Sequence, residues 1–361
     1  KMNKILDQYI FKKFVLSLLI TLTTFIVIFL IVSLIDFLDK FIQYNLTSKE
    51  ILLYYIYTIP WFVNIALPMS LLISTVFTLG TLQKNNEITA IKASGVSVRR
   101  ASLSILISGV FFCFFLFFFE NTLVVNSIQK RYEIDKKLKP LNKKYIKNRK
   151  NNIYYHLDDG FLEIKKFNYK NDTGYNISIQ NYINSDIIYR IDAKKMFWNE
   201  EENSWKLETC KIREWKNNAF TFHSLKDTIL LIKDVNPEII KKDFVKPEEM
   251  DYWELSSFIK KLDNKGLSTT RWLVNKHYKT AFACIPLIMI IFGLALSTQK
   301  PRSSHTLGIG LSIIVIFMYY ALIIFGKTLG YNNILPPLIS VWSVNFIFLS
   351  IGSYIYFKAR T

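Results

Sequence analysis

Six apolar runs set what this chain can become: Phe14–Ile35, Ile51–Leu82, Ala101–Val125, Lys279–Leu296, Leu307–Phe325 and Leu335–Phe357. Most approach or exceed the roughly 20 residues that a bilayer-crossing helix needs. A spanning segment must satisfy its backbone internally, so runs of this kind are helices. Hydrophobic residues make up 51% of the 361, but it is their clustering that separates this chain from a soluble domain. Pro60 and Pro68 interrupt the second run, which predicts a kinked or tilted helix. Lys279–Leu296 is the weakest run, being short and carrying Pro286. The first run follows a basic start (Lys1, Lys4, Lys12, Lys13) as a signal peptide would. It is too long for a signal core and lacks a small-residue cleavage site, so it is read as a helix.

Basic residues in the short loops set orientation. The start is basic, and Leu82–Arg100 carries Lys84, Lys92, Arg99 and Arg100 against Glu87. Lys300, Arg302, Lys358 and Arg360 mark two more basic ends, whereas Asp36–Glu50 is balanced and Gly326–Leu335 holds only Lys327. The alternation predicts six crossings with both termini in the cytoplasm and the large polar segment outside. One stretch opposes the rule. Lys130–Lys150 holds ten basic residues against Glu133 and Asp135. Across Asn126–His277 there are 30 Lys+Arg and 22 Asp+Glu, 30 − 22 = 8, and the run alone gives 10 − 2 = 8. The whole surplus therefore sits just beyond the expected end of the third helix. Clustered cations at that depth suit a phosphate-bearing ligand or a general attraction to anionic lipid. Placement outside the cell disfavours nucleic acid.

Leu82–Arg100 is too charged to stay in lipid and too short for a domain. Glu87 to Ala93 reads as a short helix, with Asn85 or Asn86 as N-cap and Gly95 as stop. Such an element is either a solvated loop or a receiver of force from a cytoplasmic partner.

From about Asn151 to Ile232, seven runs rich in Ile, Tyr, Phe and Trp alternate with turns such as Asp158-Asp159-Gly160, Asn171-Asp172-Thr173-Gly174 and Asn199–Asn203. This predicts an antiparallel sandwich or jelly roll. Alternation is imperfect, with aromatics at positions of both parities. That pattern admits a domain burying both faces in part, or an apolar groove for a greasy ligand. Beyond Pro247, Leu255, Phe258, Ile259 and Leu262 form the stripe of an amphipathic helix ending near Gly266.

Enzymatic signatures are missing. There is no G-x-x-x-x-G-K-[ST] loop, so any ATP hydrolysis belongs to a partner. No G-x-S-x-G is found, and His156, His223, His277 and His305 are too dispersed for a metal site. No cofactor, metal or catalytic residue is expected. Cys113 and Cys284 fall in apolar runs and Cys210 is alone in the polar segment, which implies no disulfide there. Glu120, near the outer end of the third run, is either a functional carboxylate or one that snorkels to water.

Leu6-Asp7-Gln8-Tyr9-Ile10, Ile59-Pro60, Leu67-Pro68-Met69, Asn86-Glu87-Ile88-Thr89-Ala90 and Ala93-Ser94-Gly95 sit in this architecture as they do in a known family. Over essentially its whole length the chain resembles the LptF/LptG permeases of the Gram-negative lipopolysaccharide exporter. Phe325-Gly326 through Leu335-Pro336-Pro337 is more similar to LptG than to LptF. The resemblance implies an α-helical inner-membrane protein with six transmembrane helices and an inserted periplasmic antiparallel β-jellyroll domain. Its divisions are residues 1–129, with a coupling helix around 84–95, then 130–270 and 271–361.

It further implies a permease subunit of an ABC-type transporter, extracting lipopolysaccharide and passing it to a periplasmic bridge protein. The implied partners are a homodimeric cytoplasmic ATPase, a sister LptF-type permease and an LptC-type single-span protein. The first and fifth spans would form a lateral gate. Glu87 matches the acidic residue that meets the ATPase, with Lys84, Lys92, Gly95 and Arg99 beside it. Lys40 and Arg131 match residues that contact lipid A phosphates, and Lys130, Lys136 and Lys137 are candidates for the same task. Ser33 and Trp61 depart from the pattern, standing where lysine is expected. The competing reading is a mechanotransmitting scaffold that couples an ATPase to a periplasmic partner without moving lipid.

Overall fold

The computed structural model describes residues 2–138, 149–157, 160–168, 171–183, 186–199, 204–216, 219–230, 247–264, 269–298 and 305–358. The chain divides into two compact units. One comprises Lys1–Lys139, Glu248–Leu255 and Thr270–Thr361, and the other Pro140–Pro247 with Ser256–Thr269.

The first unit is helical. It opens with α1 (Met2–Gln43), α2 (Ser48–Lys84), the hinge helices α3 (Glu87–Ala93) and α4 (Val98–Ala101), and α5 (Leu103–Phe119). A π-helical turn, Glu120–Val124, then leads into α6 (Val125–Leu138). Helix α7 (Tyr252–Asn264) follows the β segment, and α8 (Thr270–Ala283), α9 (Ile285–Thr298), α10 (His305–Tyr331) and α11 (Pro337–Lys358) complete the chain. Among the described residues five helices are long and apolar enough to cross a membrane, and α8 with α9, bent by 43°, passes the same test as a sixth when the two are taken together as one broken span. The bend has a local cause. Pro286 cannot donate its backbone hydrogen bond, and its ring crowds the carbonyl one turn back, at the Ala283–Ile285 break. This span begins at Thr270, ahead of the expected Lys279, because polar residues continue the helix where hydropathy sees no run.

Helix α2 runs unbroken through Pro60 and Pro68. It starts at a capping box in which Thr47 and Glu50 satisfy each other's backbone N–H groups. The Tyr320 hydroxyl of α10 donates to the Ile65 carbonyl at 3.0 Å, in the turn leading to Pro68. Around α2 gather Phe14, Ile105, Leu116, Met289, Tyr319, Ile323 and Phe348 in one buried core.

The third span corrects the sequence reading. Its helix does not end near Val125 but continues through the π turn to Leu138. Lys130, Arg131, Lys136 and Lys137 are therefore helical residues rather than the start of a loop. Lys139, Lys143, Lys144 and Lys147 lie outside the described residues.

The second unit holds an antiparallel sheet of β1 (Arg149–Leu157), β2 (Gly160–Asn168), β3 (Thr173–Ile183), β4 (Asp186–Asn199), β5 (Ser204–Lys216) and β6 (Ala219–Leu230). Seven apolar runs become six strands because the last two join in β6. The strands pair consecutively as a meander. The jelly-roll expectation is thus met in its inserted antiparallel domain, while the connectivity among the described residues is that of neighbour-to-neighbour hairpins.

Pairing lapses along one row, Lys165, Asn176, Lys194 and Thr209, and resumes in the same register on both sides. Each strand absorbs one residue at this crease. Ile164, Ile177, Ala193 and Cys210 are paired on one side of it, and Phe167, Gly174, Met196 and Leu207 on the other. These partners stand three residues apart along each strand, a spacing that puts them on opposite faces of a straight strand. The crease returns both rows to one buried face. It is why alternation looked imperfect. Asn176 and Thr209 take φ of 55° and 57° there, which asparagine tolerates and a β-branched residue resists. Thr209→Asn is expected to stabilise the β unit by about 1 kcal/mol, read as slower proteolysis of that segment in the full chain.

The amphipathic helix appears as expected. Leu255, Ile259 and Leu262 of α7 are buried, while Phe258 is half-buried. Asp251 and Glu254 cap each other's backbone N–H groups at 2.7 and 3.3 Å. The expected stop at Gly266 lies outside the described residues.

Candidate functional site

Helix α3 is the hinge element, and none of its residues is buried. Asn86 stands at its N-cap with φ of 61° and makes no side-chain cap, while Asn85 closes α2. Gly95 ends the helix at φ of 84°, a conformation that favours glycine. Its N–H and that of Val96 return to the carbonyls of Lys92 and Ile91. Lys84, Lys92 and Gly95 are exposed, and Glu87 is half-buried.

Glu87 is not idle. Lys13 Nζ donates to both its oxygens at 2.8 and 3.1 Å, the Tyr9 hydroxyl at 2.8 Å and Asn85 Nδ2 at 3.2 Å. Tyr9 and Lys13 are one turn apart on α1 and present one face, with the ammonium 4.5 Å from the ring centre. Burial pushes the Glu87 carboxyl up, but hydrogen bonds from Lys13, Tyr9 and Asn85, with the charge of Lys13, outweigh it and hold it below its ordinary value. A lowered carboxyl favours the bonded form at every pH above the unfolded value, and the benefit is lost only as pH falls through the lowered one. The contact is whole at neutral pH.

Beyond α3, Arg100 forks onto Asp7 with bonds of 2.9 and 2.8 Å. Arg99 turns away from Glu87, donating to the Phe357 carbonyl at 2.8 Å and lying 5.8 Å from the Phe357 ring. Among the expected hinge residues, Arg99 alone binds α11.

The expected headgroup residues meet around an aromatic cluster of Phe37, Phe41, Tyr54 and Tyr55. Lys40, in the last turn of α1, sits 4.3 Å over Phe37. Arg131 lies 5.7 Å over Tyr54 and 3.5 Å from the Thr58 hydroxyl, and Lys130 is 5.9 Å from the Tyr57 ring. Three helices thus bring Lys40, Lys130 and Arg131 to one place. Aromatic faces hold cations without neutralising them. Lys136 and Lys137 lie on α6, and their side chains are outside the described ones. Trp61 is exposed beside Phe62, with ring centres 5.5 Å apart.

Sequence reasoning missed several partners. Lys279 was taken as the polar edge of a short apolar run, yet its ammonium is 3.0 Å from Glu120 Oε1, with side chains only 4% and 12% exposed. Glu120 therefore does not snorkel to water. It starts the π turn, and its neighbour Asn121 accepts the Tyr252 N–H of α7 at 2.8 Å. A lysine within reach of a span is itself a signal for a buried partner. Gly326-x-x-x-Gly330 of α10 is a second missed signal, since that spacing lets two helix backbones approach. Asp7 and Tyr9 belong to the quoted motif at the start of the chain, but their partners were not legible.

Among the described residues no group of three or more His, Cys, Asp or Glu could hold a metal. No curated protein sequence matches the chain. The family profile described as "Lipopolysaccharide export system permease LptF/LptG" matches residues 8–358. That span takes in the exposed hinge, the spans and the inserted sheet together, and the chain belongs to the LptF/LptG family of lipopolysaccharide export permeases.

Proposed function

We propose that this permease is the LptG-type subunit of an ABC-type exporter, driven through α3 by a separate cytoplasmic ATPase dimer. The observation that carries the reading is an apolar-flanked helix with no buried residue. A seven-residue helix is not stable by itself, so an unburied one held between two spans is suited to a partner's groove. Glu87, Lys84 and Lys92 supply its polar surface. In this arrangement both termini are cytoplasmic and the sheet is periplasmic, as the loop charges favour.

Lipopolysaccharide enters laterally beside α1, its phosphates held by Lys40, Arg131 and Lys130, with Lys136 and Lys137 further along α6. The sheet then passes it to a bridge protein. A sister LptF-type permease and an LptC-type single-span protein complete the assembly. ATP hydrolysis stays with the partner ATPase, because this sequence carries no G-x-x-x-x-G-K-[ST] loop.

Glu87→Lys tests the input. It places a cation against Lys13 and removes the carboxylate offered to the ATPase. Co-purification of ATPase with the permease is expected to weaken roughly a hundredfold, with the permease still folded. Undiminished ATPase association and coupling would remove the basis for this reading.

A further inference from the structure

The contacts around the hinge point to a mechanical role for the start of α1. We propose that Asp7, Tyr9 and Lys13 are positioning residues that transmit displacement of the hinge into α1. This rests on α3 being the element that an ATPase moves.

Two polar clamps bracket α3. On its N-terminal side Glu87 is held by Tyr9 and Lys13, and on its C-terminal side Arg100 forks onto Asp7. Both clamps end on the same stretch of α1. No residue of α3 is buried, and Ile88 and Ile91 pack only partly buried against the core, so the polar clamps are the directional part of what holds it. Hydrogen bonds between charged groups are the strongest non-covalent links available there. The bidentate Arg100–Asp7 pair also fixes an angle, which a single apolar contact does not.

α1 is built to accept displacement of the hinge. Only 6% of its most apolar window is buried within the chain, against 72% for α2, while Ile10 and Phe14 beside the clamps are buried in the core. It is also continuous over 42 residues, about 63 Å at the helical rise, with no proline in its length. An unbroken helix without proline carries displacement along its length. At its far end stands Lys40 over Phe37, in the aromatic cluster that also carries Arg131 on Tyr54. The rod therefore joins the hinge to the cation cluster. Displacing the hinge shifts Lys40 relative to Arg131, which is on α6, and so changes the spacing of the cations that face an anionic ligand.

The test uses the permease with its ATPase and partner subunits in nanodiscs. Spin labels sit at Leu34→Cys and Ile351→Cys, with Cys113, Cys210 and Cys284 replaced by serine. Nucleotide is expected to change the label distance in the otherwise wild-type chain. In Asp7→Asn/Tyr9→Phe/Lys13→Met the ATPase should remain bound and active, the distance change should disappear, and lipopolysaccharide release should fall roughly tenfold. Asp7→Arg with Arg100→Asp should recover the distance change that Asp7→Arg alone loses, which a merely structural role would not require. A full distance change in the assembled triple variant overturns the proposal. So does loss of ATPase binding in that variant, because the clamps would then shape the docking face instead of transmitting from it. Failure of the coupling reading shows separately, as ATPase binding that survives Glu87→Lys.

Discussion

Replacing Lys279 by methionine is expected to destabilise the helical unit by about 3–5 kcal/mol. The substitution leaves the Glu120 carboxylate buried without its ammonium. Both side chains are nearly out of reach of solvent, so water cannot compensate. The attraction between the ions is not the quantity at stake, because much of it offsets their desolvation. The cost comes from stranding one charge. Lys279→Met with Glu120→Leu should therefore recover most of the loss, since an apolar pair of similar size needs no partner. Unfolding of the purified permease in detergent, followed by loss of helical circular dichroism against denaturant, reads both effects. Wild-type stability in the single variant would show that the pair carries no structural burden. The pair joins the span before the β segment to the span after it.

The second large effect is expected at Gly326. A Cβ built there collides with the Ser340 carbonyl oxygen, and one at Gly330 meets the Ser340 hydroxyl and Val274 Cγ2, the latter at 2.8 Å. The two sites differ in what must move. A side-chain atom rotates away, whereas the Ser340 carbonyl belongs to the backbone of α11 and moves only with the helix. Gly326→Ala should thus cost about 3 kcal/mol and Gly330→Ala about 1 kcal/mol. Gly310 provides the control, as nothing lies within 4 Å of a Cβ placed there, and Gly310→Ala should be neutral or slightly stabilising. The same unfolding measurement ranks the three. Equal stabilities would mean that the α10–α11 approach is loose enough to absorb a methyl group.

The sites were legible in the sequence to different depths. The charged hinge was visible without coordinates, and the family resemblance singled out Glu87 within it. That Lys13 and Tyr9 bind it was hidden, since 74 and 78 residues separate the partners and no local pattern records such a distance. Lys40 and Arg131 came from resemblance; in the structure they lie over Phe37 and Tyr54 of one aromatic cluster, while Lys130 lies near Tyr57. Arg99 was grouped with the hinge, and that its guanidinium donates to the Phe357 carbonyl of α11 was not legible in the sequence.

What the sequence determined by itself is the set of elements and their environment. Long apolar runs have few solutions in lipid, so the spans were readable from hydropathy, and the Leu255, Ile259 and Leu262 stripe followed from helical periodicity. Turn residues placed the hairpins because asparagine, aspartate and glycine suit the backbone that a turn needs. The tertiary structure alone decided where those rules are suspended. The crease at Lys165, Asn176, Lys194 and Thr209 shifts the strand phase by one residue, and neighbouring strands must share the shift for the ladder to resume. The Glu120–Lys279 pair and the clamps on α1 follow from packing of helices far apart in the chain. Periodicity reports which face of an element seeks burial, but the identity of the group that meets it is a property of the assembled fold.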